Sequence, residues 1–233
     1  MAKTFTTIGT LTCADIDNIP LATPFSMAVD RNAQAYVLYN NSVIYKVDTT
    51  QSSLPCTKTS YTVQHGLSEF GMGFSTDTAG GTTDTLFIAG GGDVGSASTS
   101  TLATLDPSSF TATPVGSISG SPELTGNSNA ELWAFSPTGT PTVQQIDKIS
   151  GSATITYPES TLAGSPSAWA FGFYGGDYWV FLAKGNDTQT TVYEVAGPTN
   201  MSHTPGSIVG TTPASGLLIV GAGVSTCAPT MIF

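Results

Sequence analysis

A short pattern returns four times along this 233-residue chain. "AQAYVLY" (33–39), "TDTLFIA" (83–89), "AELWAFS" (130–136) and "GDYWVFL" (176–182) share one layout: a polar or acidic residue, a spacer, a large apolar residue, a spacer and a second apolar residue. The matching positions are Gln34/Tyr36/Leu38, Asp84/Leu86/Ile88, Glu131/Trp133/Phe135 and Asp177/Trp179/Phe181. Alternation of this kind marks a strand with one face turned to a core. The period is about 48 residues, so the chain has room for close to five copies.

Two further elements travel with each copy. Downstream come "IYKVD" (44–48), "LATLD" (102–106), "VQQID" (143–147) and "VYEVA" (192–196). Three of these end in Asp48, Asp106 and Asp147, whose side chains are suited to cap a turn by accepting backbone N–H groups two residues on. Upstream come "FSMAV" (25–29), "FGMGF" (70–74), "ELTGN" (123–127), "AWAFGF" (168–173) and a fifth, "GLLIVGAG" (216–223), which has no clear partner after it. Gly71, Gly73, Gly126, Gly172, Gly221 and Gly223 suit strands crowded near an axis, where another backbone approaches closely. "SYTVQ" (60–64) and "ATITY" (153–157) supply outer strands.

Four short antiparallel strands per repeat with Gly-rich inner strands describe the blade of a β-propeller. The expectation is an all-β, five-bladed propeller occupying residues 1–233 as one domain. "FTTIGTLT" (5–12) reads like the outer strand in "FTATPVGSIS" (110–119). It is therefore expected to complete the last blade and close the ring, removing exposed strand edges.

The hydrophobic-Asp-x-x-Ser/Thr hairpins and aromatic second strands resemble β-propeller repeat proteins of the quinoprotein-like and NHL-like kind, and the chain is similar to exported bacterial propellers. The resemblance spans nearly the whole chain. It departs from the WD40 pattern, lacking Gly-His followed by Trp-Asp, and from the gluconolactonase-like pattern, whose acidic metal cluster has no counterpart. It implies a fold and no particular activity.

Charge narrows the partners. With 16 acidic against 6 basic residues, and no cluster of Lys or Arg, the chain is poorly suited to nucleic acid or anionic membranes. No apolar run approaches the roughly 18–20 residues that span a bilayer, so no membrane insertion is expected. Scarce Lys with abundant Thr, Ser and Gly points to an exported protein: secreted, periplasmic or at the cell surface. The start "MAKTFTTIG" has no apolar signal core, so any signal is expected to have been removed. The cysteines Cys13, Cys56 and Cys227 match no zinc spacing and allow one disulfide. If Cys13 and Cys227 both belong to the closing blade, they pair and Cys56 stays free.

Catalytic constellations are missing. His65 and His203 sit in loop-like "VQHGL" and "MSHTP", and no G-x-S-x-G elbow is present. Asp15, Asp17 and Asn18 in "CADIDNIP" offer oxygen ligands without EF-hand spacing and read as a turn. "GGGDVGS" (90–96) and "GGTTD" (80–84) do not join a strand to a helix, as a phosphate loop must, and also read as turns. Asn40, Asn186 and Asn200 stand in N-x-Ser/Thr sequons. No catalytic residue, metal ligand or cofactor is assigned.

The candidate ligand residues are Glu69, Glu123, Trp169 and Tyr174. In a propeller, the loops entering the inner strands lie at one channel mouth. There this sequence places "HGLSE" (65–69), "SGSPE" (119–123), "AGSPS" (163–167) and "TTPAS" (211–215). Hydroxyls, amides and two acids beside Trp169 suit a neutral sugar better than an anion. The expected function is a binding or scaffolding module for a glycan or protein ligand. The alternatives are a metal-dependent hydrolase or lactonase, or a structural subunit of a surface assembly. Most rings between Trp169 and Phe181 are expected to be core.

Overall fold

The computed structural model describes residues 4–13, 21–91 and 99–231. Their strands form four antiparallel sheets of four strands each, in sequence order from the axis outward. Blade 1 holds β1 (Pro24–Val29), β2 (Gln34–Tyr39), β3 (Ile44–Asp48) and β4 (Cys56–Lys58). Blade 2 holds β5 (Phe70–Thr76), β6 (Asp84–Gly90), β7 (Thr99–Leu105) and β8 (Ala112–Ser119). Blade 3 holds β9 (Glu123–Gly126), β10 (Leu132–Ser136), β11 (Thr142–Ile146) and β12 (Ala153–Pro158). Blade 4 holds β13 (Pro166–Tyr174), β14 (Asp177–Lys184), β15 (Thr191–Val195) and β16 (Ile208–Pro213).

Strand alternation divides each blade between two neighbours. Tyr36, Leu38 and Ile44 of blade 1 meet Phe70, Met72 and Phe74 of blade 2. Phe87 and Leu102 of blade 2 meet Leu124 and Leu132 of blade 3. Trp133, Phe135 and Val143 of blade 3 meet Phe171, Phe173, Tyr178 and Val180 of blade 4. The aromatic run of β13 and β14 is thus mainly core: Trp133 lies 4.5 Å from Tyr178, centroid to centroid, and 5.9 Å from Tyr157. Asp48, Asp106 and Asp147 each cap a turn, accepting N–H bonds from Thr50 at 2.9 Å, Ser108 at 2.7 Å and Ile149 at 3.0 Å.

The propeller has four blades among the described residues, which corrects the expected five. "GLLIVGAG" does lie against the inner strands of its neighbours. A Cβ on Gly221 would come within 3.2 Å of Ser26 Cα, and one on Gly172 within 3.0 Å of Val224. No hairpin follows it, so it has no strands to build outward from and remains irregular chain filling a fifth sector between blades 4 and 1. The ring is not closed by a strand over residues 5–12 either. That segment is irregular and runs over blade 1, where a Cβ on Gly9 would meet Leu54 at 2.7 Å and Ser52 O at 2.8 Å. It is drawn there by the second face of blade 1, whose Ala35, Val37, Tyr39, Tyr45 and Val47 need a cover and find Leu11, Cys13 and Ala22. "SYTVQ" is not a strand; Cys56–Lys58 takes the outer place in blade 1.

The cysteine pairing follows from this path. Cys13 bonds Cys56, not Cys227, with Cα atoms 5.4 Å apart. Cys227 is an exposed free thiol. The pairing with Cys227 required the N-terminal segment to join the last blade; lying on blade 1, it meets the start of β4 instead. Asp15, Asp17 and Asn18, and most of "GGGDVGS", fall outside the described residues.

Candidate functional site

All four inner strands begin at one end of the ring, and the residues that begin them meet there. Trp169 of β13, Phe25 of β1 and Glu123 of β9 line a groove of 280 Å³ together with Thr23, Asn40, Ser167 and Val220. Blades 1 and 4 form its sides, and Val220, from the segment that fills the fifth sector, stands behind it. Glu123 and Trp169 also border a second, 20 Å³ cavity with Glu69, Ser100, Ser121 and Phe25. That volume holds about one water molecule. Glu69, Glu123 and Trp169, named from the sequence, therefore share one mouth.

Glu123 forms the floor of the groove. It is 3% exposed. Its Oε2 accepts a 2.8 Å hydrogen bond from Ser26 Oγ of β1, a strand on the far side of blade 2 from its own. The Met72 backbone amide of β5 bonds it as well. One carboxyl thus ties three inner strands across the axis. Burial pushes it well above the ordinary carboxylate range, against the opposing pull of these two hydrogen bonds. Burial thus favours its protonated form, which can donate a proton in a hydrogen bond as well as accept one.

Above this floor the wall is mixed. Trp169 and Phe25 are half-buried, each packed on a core by one side. Asn40 Oδ1 accepts the Thr23 amide at 3.1 Å, which joins the two residues at the rim of blade 1. Ser167 is exposed on the opposite rim. The arrangement offers aromatic surface, a hydroxyl, an amide and a buried acid within a small volume. It suits an uncharged ligand with polar edges and an apolar face.

Tyr174 is not part of this mouth. It ends β13, five residues and roughly 17 Å along the strand from Trp169, and is 48% exposed. It borders a separate apolar groove of 540 Å³ with Trp179, Phe181, Leu217 and Phe5. Of the expected mouth loops, "TTPAS" lines neither cavity. Sequence reasoning missed Phe25, Ser26, Asn40 and Val220. The repeat contained the signal for the first: Phe25 is the large aromatic near the start of β1, as Trp169 is near the start of β13. Ser26 carries no pattern that marks it, and the sequon around Asn40 does not point to a channel mouth.

The other end of the ring is closed by ionic and hydroxyl bonds. Arg31 bonds Asp84 through Nε at 2.7 Å and Nη2 at 3.0 Å, and Thr226 of the fifth sector donates to the same carboxylate at 2.7 Å. Burial raises the Asp84 pKa, but the bonds from Arg31, Thr226 and Thr76 outweigh it and hold the group below its ordinary value. Among the described residues, no three His, Cys, Asp or Glu side chains gather as a metal site would require. No helix among them is long and apolar enough to cross a membrane.

Comparison with family models and with curated proteins finds no match. Nothing therefore singles out the quinoprotein-like or NHL-like kind among propellers. Similar solved structures do exist. An engineered GH43 glycoside hydrolase displaying both endo-xylanase and exo-arabinofuranosidase activity aligns with a TM-score of 0.55 at 11% identity, over 82% of this chain and 41% of its own. Hydrazine synthase from Kuenenia stuttgartiensis aligns with 0.48 at 11%, over 82% of this chain and 49% of its own. The α-L-arabinanase of Penicillium chrysogenum, complexed with arabinobiose, aligns with 0.49 at 14%, over 91% and 73%. The chain spans less than half the length of the first two. The likeness to the GH43 enzyme is one of fold, and the fold is a β-propeller.

Proposed function

We propose that this protein is an exported propeller that binds a neutral glycan at the channel mouth between blades 1 and 4. The observation that carries the reading is the convergence of Trp169 and Phe25 beside Asn40, Ser167 and the buried acid Glu123 in one 280 Å³ groove. Aromatic rings give a sugar's C–H face a surface to rest on, while hydroxyl, amide and acid groups meet its rim. Location outside the cytoplasm is supported by the Cys13–Cys56 disulfide, since such bonds persist in oxidising compartments.

Hydrolysis is the second reading, and one observation favours it. Glu69 and Glu123 line the same cavity, and burial raises the pKa of the second, the direction a general acid requires. Binding is preferred because the Glu123 carboxyl is anchored by Ser26 and Met72, which leaves it little freedom to hand a proton to a leaving group.

A glycan array followed by calorimetric titration of each hit tests the proposal. Trp169→Ala is expected to weaken a genuine hit by about tenfold or more, and Glu123→Gln to weaken it less, because the amide keeps a donor and an acceptor. A hit that keeps its affinity in both variants binds elsewhere. Incubating the hit with the protein and assaying for new reducing ends separates binding, which releases none, from hydrolysis.

A further inference from the structure

We infer that the groove takes a sugar chain by its end, seating one terminal neutral residue, and does not grip an internal stretch. The inference rests on the glycan reading above and concerns how that same groove selects its ligand.

Depth is the first reason. A chain entering from the mouth meets Glu123, whose carboxyl crosses the axis to Ser26 Oγ at 2.8 Å and is bonded by the Met72 amide. That carboxyl and its two bonds close the way along the axis. The adjoining space beside Glu69, Ser121 and Pro122 is only 20 Å³, enough for a water and not for a second sugar ring. Size is the second reason. At 280 Å³ the groove lies just below the roughly 300 Å³ at which pockets for drug-sized ligands begin. An internal stretch of polysaccharide needs several rings covered at once, whereas one ring, with part of the next, fills this space. Val220, held by the close approach of Gly221 to Ser26, blocks the side toward the fifth sector.

Charge chooses among terminal residues. The floor is a carboxyl whose negative form burial disfavours, and Glu69 lines the adjoining cavity with it. A uronic or sialic acid terminus would bring its own negative charge to a site that has no basic residue in its lining. A neutral pentose or hexose meets only hydroxyl, amide, acid and aromatic groups.

Chain length provides the test. Xylose, xylobiose and xylotetraose, with the corresponding arabinose and galactose series, are titrated calorimetrically into the whole protein, with glucuronic acid as the charged control. In the series that binds, affinity should rise by no more than about threefold from the disaccharide to the tetrasaccharide, and one protein should bind per chain whatever its length. A rise of about tenfold or more, or several proteins per long chain, overturns end-on capture while leaving glycan binding intact. Glucuronic acid binding as tightly as the neutral sugars overturns the neutral selectivity. Absence of binding by every member of all three series overturns both this inference and the reading it rests on.

Discussion

Two sectors of the ring solve the same packing problem differently. Between blades 2 and 3, inner strands β5 and β9 press so closely that a Cβ on Gly73 would stand 2.8 Å from the Leu124 carbonyl, and outside them whole sheets interlock through Phe87, Leu102, Leu124 and Leu132. Between blades 4 and 1 only the inner layer is continued. A Cβ on Gly221 or Gly223 of the irregular segment would stand 3.2 or 3.0 Å from β1, and beyond them no sheet interlocks. Blade 1 covers its free face with Leu11, Cys13 and Ala22, fixed by a disulfide; blade 4 leaves Trp179 and Phe181 half-exposed beside a 540 Å³ groove. A ring can therefore be closed at its axis without a full complement of blades. The sector that lacks a sheet is also the one that supplies a wall of the mouth groove.

The contrast predicts unequal costs. Trp133→Ala strikes the regular sector between blades 3 and 4, where the ring is fully buried against Tyr157 and Tyr178. It should cost about 3–5 kcal/mol, readable by chemical denaturation. Phe181→Ala, in the irregular sector, should cost clearly less. Equal losses would show the fifth sector to be packed as tightly as the others.

Removal of the disulfide by Cys13→Ser with Cys56→Ser comes next. The bond closes a separation of 43 residues, and its loss should cost about 2–4 kcal/mol. Hydrogen exchange should rise most in the first 13 residues and along β2 and β3 of blade 1, while blades 3 and 4 keep their protection. Exchange rising evenly around the ring would contradict the assignment of this segment to blade 1.

A glycine pair sharpens the comparison further. Gly73→Ala should cost about 1–3 kcal/mol because it forces backbone apart, since its Cβ faces the carbonyl and amide of neighbouring strand β9. Gly221→Ala, with 3.2 Å to its nearest neighbour, should cost about 1 kcal/mol or less. The reverse order would mean that the irregular segment is held as rigidly as a strand.

Glu123→Gln acts on the pH dependence of stability, the smallest of these effects. The folded-state pKa of Glu123 is raised above its ordinary value, so its contribution is fully present below about 4.5 and is lost as pH rises toward the folded pKa. Glu159, pushed up to about 7 by burial, acts in the same direction. Melting of the parent protein should therefore fall from pH 5 to pH 8. Glu123→Gln should flatten that fall, with Glu159 left to supply the remainder. A slope unchanged by the substitution would show that Glu123 is ionised in the folded protein.

Much of this was legible in the repeat. Four alternating strands at a period of about 48 residues located β2, β6, β10 and β14, and the three Asp turns behave as their chemistry requires. Glu69, Glu123 and Trp169 could be placed at one mouth because each lies at the entry to an inner strand. The fifth blade could not be read correctly. "GLLIVGAG" has the composition of an inner strand, and it does take an inner position, but a strand needs a partner and composition does not say whether one is supplied. Tyr174, named as a ligand residue, lies apart from the other three because a nine-residue strand carries its last residue to a different groove. The Ser26–Glu123 bond joins residues 97 apart and leaves no local trace.

The central claim is that the mouth beside Trp169 is a sugar site, and the tryptophans of the chain allow it to be read directly. Trp133 is fully buried in the core and Trp179 faces the separate apolar groove. In a Trp133→Phe, Trp179→Phe variant, shown by circular dichroism to be folded, Trp169 is the remaining emitter. Titration with the neutral sugar found by calorimetry should shift its emission saturably, with the same midpoint that calorimetry gives. Saturable binding by calorimetry with no change in Trp169 emission would place the sugar elsewhere and contradict the claim.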